Sequence, residues 1–174
     1  MTDVERPPAA SLVERLILAL RLDLDFYTLV SADRTTGFQA FMVVLLGGFF
    51  NGMGLVQRLG GFGVWAGMAA ALAGWLLWTL VLLLIARVLG HHRNGRSLLR
   101  TLGFANAPEV LLILGGMAVV ASVVRVLVVF WLLAATVVAL QAVYAITRRR
   151  AAGITLTGFV LYLLIGVGVA YVTS

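Results

Sequence analysis

From Arg34 to Ser174 the chain carries a single carboxylate, Glu109, set among five apolar runs of twenty residues or more, at about 37–57, 62–89, 103–122, 126–147 and 152–173. A helical run of that length crosses the roughly 30 Å hydrocarbon layer of a bilayer. In lipid only helices and closed barrels satisfy their own backbone hydrogen bonds, and runs this long and continuously apolar read as helices. Composition agrees: 62% of residues are apolar and 11% charged, against roughly 45–50% and 25% in globular domains. The expected fold is all-α, a polytopic membrane protein with five transmembrane helices and an N-terminal amphipathic interfacial helix. Residues 11–174 form one membrane domain, and the polar, proline-bearing residues 1–10 form a disordered cytoplasmic tail.

All 13 basic residues are arginine. They punctuate the apolar runs instead of forming one patch, which argues against nucleic acid as a partner. Arg6, Arg15, Arg21 and Arg34 precede the first run, Arg87, Arg93, Arg96 and Arg100 separate the second from the third, and Arg148, Arg149 and Arg150 precede the fifth. Only Arg58 and Arg125 fall on the other side. This bias predicts a multi-pass cell-membrane protein with its N-terminus in the cytoplasm and its C-terminus outside. Arginine without lysine, amid abundant Ala, Gly, Val and Leu, suggests a GC-rich bacterial genome and hence a bacterial inner membrane.

Ahead of the first run, Ser11 and Glu14 have the spacing of a capping box. At 100° per residue, Val13, Leu16, Ile17, Leu20 and Leu24 gather opposite Glu14, Arg21 and Asp25. That pattern fits a helix lying on the membrane surface, or one packed on the protein's own spans. Within the spans, Gly48 and Gly52 share a four-residue spacing, as do Gly63, Gly67 and Ala71, so these two faces are expected to meet through close backbone approach. Trp65 suits an interfacial anchor, whereas Trp75, Trp78 and Trp131 fall deeper. The turn between the third and fourth spans is expected near Ser122–Arg125, with a re-entrant third segment as the alternative.

Little in the sequence supports catalysis. There are no cysteines, no cofactor or metal motif is recognisable, and an enzyme is not expected. His91 and His92 are adjacent, so they cannot share a helical face as zinc ligands do. Arg93, Arg96, Arg148, Arg149 and Arg150 are candidate contacts for anionic lipid headgroups. Glu109 reads as a helix cap: with Asn106 at the N-cap and Pro108 in the first turn, it takes the third helical position of a capping box. An intramembrane carboxylate that couples an ion or substrate is the competing role, and pairing with Arg100 or Arg148 is a third.

The stretch "LLRTLGFANAPEVLLIL", residues 98–114, resembles the signature of the Yip family, in which a basic residue, a Gly-aromatic pair and a following proline open the third span. The candidate motif here is Arg100, Gly103, Phe104, Asn106, Pro108 and Glu109, with phenylalanine in place of the more usual tyrosine. "ALRLDLDFYTLVSADRTTGFQAFMVVLL" and "GWLLWTLVLLLIARVLG" also look like bacterial members of the family. The resemblance implies five spans and a non-enzymatic, membrane-organising or scaffolding role like that of family members in vesicle traffic. Those members bind prenylated Rab GTPases, but their long cytoplasmic N-terminus is nearly absent here. The expected partners are membrane lipids and a membrane protein or a second copy of the chain. A small transporter or channel subunit is the rival class.

Overall fold

The computed structural model describes residues 11–92, 94–116 and 118–173. The expected tail, residues 1–10, and Arg93 lie outside the described residues. Regular structure among the described residues is helical: α1 (Leu12–Leu20), α2 (Leu24–Ala32), a 3₁₀ turn (Arg34–Thr36), α3 (Gly37–Met53), a short α4 (Val56–Leu59), α5 (Phe62–Val88), α6 (Gly95–Ala105), a ten-residue 3₁₀ segment (Ala107–Gly116), α7 (Ala118–Tyr144) and α8 (Arg148–Thr173). Among the described residues, four helical stretches are long and apolar enough to cross a membrane: Arg34–Met53, Phe62–Val88, Ser122–Tyr144 and Arg148–Gly168. Large apolar side chains on them, such as Trp65, Phe130 and Leu164, are exposed, as suits helices whose solvent is lipid.

The capping box forms as expected, with the Ser11 hydroxyl accepting from the Glu14 N–H and the Glu14 carboxylate accepting from the Ser11 N–H at 2.8 Å. The helix it starts is shorter than the pattern suggests. Leu22 has a φ of 58°, and the Asp23 carboxylate accepts from the N–H groups of Asp25 and Phe26. That second N-cap stops one helix and begins another. Leu16 and Leu20 pack toward the core while Val13, Ile17 and Leu24 are exposed. The expected single face is therefore divided, and α2 rests on α6 and α7.

The two glycine faces meet. A Cβ on Gly48 would lie 2.7 Å from the Ala71 Cβ and 2.9 Å from the Met68 Cα, and one on Gly52 would lie 2.8 Å from the Val64 Cα. Gly67 opposes Gly52 so closely that neither could bear a side chain. Backbones thus touch along α3 and α5, the contact that drives association where lipid removes the hydrophobic force.

The third and fourth spans depart from expectation. The turn placed at Ser122–Arg125 lies inside α7, and the chain is instead 3₁₀ through Gly115 and Gly116 before α7 starts at Ala118. Residues 103–122 do not form one helix. Apolar sequence in lipid lacks the polar punctuation that marks turns in water, so the glycine pair, not Ser122, locates the change. The other discontinuity falls at Asn106 and Pro108, where proline removes an N–H and disfavours continuation of α6.

Candidate functional site

The six motif residues sit together along α6 and the start of the 3₁₀ segment, and three of them, Arg100, Gly103 and Phe104, fasten α6 in place. An Arg100 Nη donates to the Ser31 carbonyl at 3.1 Å, and the Ser97 hydroxyl donates to that same oxygen at 2.6 Å. Gly103 lies against Ala40, where a Cβ would be 2.8 Å from the alanine's own. Phe104 is fully buried, with its ring edge-on to Phe26 at 5.4 Å. α6 is thereby pinned to the end of α2 and the start of α3.

Asn106 is not an N-cap. It ends α6, its N–H donating to the Gly103 and Phe104 carbonyls and its side-chain amide donating back to the Leu102 carbonyl at 2.9 Å. Glu109 makes no capping bond through its side chain; its backbone N–H donates to the Asn106 carbonyl at 2.9 Å. The capping-box expectation fails because the backbone tightens into 3₁₀ geometry at Ala107, which satisfies the first N–H groups from carbonyls three residues back. Among the described residues, no hydrogen bond or ion pair engages the Glu109 carboxylate, so neither Arg100 nor Arg148 is its partner.

Glu109 is instead placed by Gly47. A Cβ on that glycine would lie 2.7 Å from the Glu109 Cβ and 2.6 Å from its Oε2. Gly47 stands ten residues into α3, about 15 Å along the helix from Gly37. The 3₁₀ segment runs beside α3 in the same direction, since Arg100 meets Gly37, Gly103 meets Ala40 and Glu109 meets Gly47.

Beside Glu109 is a cavity of about 380 Å³. Asn106 and Leu102 line it from α6, Asn51 from α3, Gly74, Trp75 and Trp78 from α5, Leu132, Leu133 and Thr136 from α7, and Phe159 and Tyr162 from α8. On α5, α7 and α8 these positions flank the middle of the helix: Trp75 is the central residue of α5, and Leu132 and Phe159 each lie within two residues of the centres of α7 and α8, whereas Asn51 lies near the end of α3. α5 and α7 both pack on α8, and between them the Trp78 indole N–H donates to the Thr136 hydroxyl at 3.4 Å. The Trp75 N–H donates to the Leu99 carbonyl at 3.1 Å. Trp78 and Tyr162 meet edge to face at 5.6 Å and 87°, and Gly74 leaves room for the tyrosine hydroxyl.

The arginine candidates are not at this cavity. Arg96, Arg148, Arg149 and Arg150 are exposed. His91 leans on Tyr144 with ring centroids 5.9 Å apart, and His92 is exposed. Glu109 and Asn106 stand out in the sequence for their chemistry, whereas Trp75 and Trp78 stand out only for their depth in the span and Tyr162 not at all. The signal of the two tryptophans is position: tryptophan favours the two membrane interfaces, and a Trp-Leu-Leu-Trp pair at mid-span departs from that habit. No protein-family model matches the chain, and neither a curated protein nor a solved structure is found similar to it.

Proposed function

We propose that the chain is a non-enzymatic, multi-pass membrane protein of the Yip type that holds a small solute inside the bilayer, as a small transporter or the solute-binding subunit of one. It crosses five times, with its N-terminus in the cytoplasm and its C-terminus outside. The arginine bias supports that orientation. The third crossing is discontinuous: eleven residues of α6 and ten of 3₁₀ together reach about 36 Å, enough for the hydrocarbon layer. α1 packs on the protein's own spans, its Leu20 carbonyl accepting from the Trp131 N–H at 3.1 Å, with Val13 and Ile17 exposed.

The observation that carries the reading is the break at Asn106–Glu109, which faces a mid-helix cavity with an unpaired carboxylate. A discontinuous segment with polar groups converging at mid-depth is the arrangement that solute sites in membranes use, and a scaffold needs neither. The membrane-organising reading draws on a different feature, the exposed Arg96 and Arg148–Arg150, which suit anionic lipid.

The test is native mass spectrometry of the protein released from its own lipid, for wild type and Glu109→Gln, with thermal stability measured beside it. A small solute bound to wild type and missing from an equally stable Glu109→Gln is the expected result. A protein partner retained by both, with no solute, would replace the solute reading with a scaffold. Tags at the two termini should be reached from opposite sides of the membrane; access from one side rules out five crossings.

A further inference from the structure

Resting on that solute-binding reading, we infer that the cavity accepts an organic cation, an ammonium or substituted ammonium group, with Glu109 as its counter-charge and the rings of Trp75, Trp78, Phe159 and Tyr162 as its walls.

Glu109 is the one carboxylate in the lining and no arginine or histidine shares the lining with it. Charged groups inside a membrane ordinarily pair with each other. A cation entering here supplies the missing partner, whereas an anion meets only repulsion. The walls argue for an organic cation over a bare metal ion. Calcium takes six to eight oxygen ligands and magnesium a near-octahedral set, but the lining offers one carboxylate and the neutral oxygens of Asn51, Asn106, Thr136 and Tyr162 spread over five helical segments, and no group of three His, Cys, Asp or Glu side chains gathers among the described residues.

Aromatic faces attract ammonium groups through the ring quadrupole, most strongly where water is absent. Both tryptophans have their N–H groups committed to protein acceptors, so what they offer a ligand is ring surface. The perpendicular Trp78–Tyr162 pair makes a corner, which is the local shape of an ammonium cage. A volume of about 380 Å³ lies at the low end of the roughly 300–1,000 Å³ of small-molecule sites, which suits a compact amine.

Two sources share this chemistry, a free organic ammonium ion and the ethanolamine headgroup of a lipid. Both are addressed with the full chain in nanodiscs of phosphatidylglycerol, with and without phosphatidylethanolamine, titrated with choline or benzyltrimethylammonium while tryptophan fluorescence is followed. Saturable quenching is expected, with at least tenfold weaker binding of 3,3-dimethyl-1-butanol, the uncharged carbon isostere of choline. Glu109→Gln should lose at least tenfold in choline affinity at unchanged melting temperature, and Trp78→Leu should lose severalfold. Competition by phosphatidylethanolamine assigns the site to the lipid headgroup, and its absence assigns it to the free amine; either keeps the proposal.

Equal binding of choline and its isostere overturns the cation assignment on wild-type protein alone, whatever the variants do, while leaving a solute site in place. A response to potassium or to protons without any to the ammonium probes overturns it as well. Should every probe fail and mass spectrometry find no solute, the solute-binding reading falls together with the inference.

Discussion

Helix α5 solves opposite problems in successive turns of one face, along which Gly63, Gly67, Ala71, Trp75 and Trp78 follow at spacings of three and four residues. In its first half it presents Gly63, Gly67 and Ala71 to α3, and the backbones close until no side chain fits between Gly67 and Gly52. Further along it presents Trp75 and Trp78, whose N–H groups reach Leu99 of α6 and Thr136 of α7, beside a cavity of about 380 Å³. The first half gains from dispersion over close-set backbone, the association force available in lipid. The second gives up that contact and holds large rings in position. In this chain small residues build the frame and aromatic residues keep a space open.

Breaking the frame should have the larger effect. Gly67→Leu forces a side chain into the α3–α5 seam and should cost about 3 kcal/mol or more, read as a steep fall in thermal stability in detergent. A mild effect would mean that the seam is not what holds the two helices. Gly47→Ala tests the border between frame and cavity, because its new methyl group meets Glu109 and not α5. It should cost about 1–2 kcal/mol and shift the carboxylate, so that choline affinity falls with most of the stability retained. Intact affinity would show that Glu109 does not depend on Gly47 for its position. Trp78→Phe keeps a ring but loses the bond to Thr136, and should cost about 0.5–1.5 kcal/mol with a small change in affinity. A loss as large as that of Gly67→Leu would erase the distinction between frame and cavity.

The frame was far more legible in the sequence than the cavity. Glycine spacing alone predicted which faces of α3 and α5 meet, because GxxxG pairing is a local periodicity. The Ser11–Glu14 box was equally readable, since a cap depends on four consecutive residues. The break at Asn106–Glu109 was visible as polar and proline-bearing residues, yet its consequence was misjudged: hydropathy is the same for an α-helix and a 3₁₀ segment, and a capping box and a tightened turn use the same residue types. The start of α7 was displaced for a related reason, as an apolar chain in lipid turns at glycine without needing Ser122. Tyr162 lies 84 residues beyond Trp78 in the chain, and no local pattern announces that the two rings touch.

The ten-residue 3₁₀ segment has a mechanical consequence. At about 2.0 Å per residue it measures about 20 Å, whereas the same residues wound as α-helix would measure about 15 Å. It lies packed between α3 and α7, and α7 in turn rests on α2 and α6. Rewinding would therefore shorten the segment by about 5 Å and slide the residues it carries, Glu109 among them, against α3, while α3 and α5 stayed locked at their glycines. The segment is a strut with two natural lengths, and the carboxylate beside the cavity rides on it.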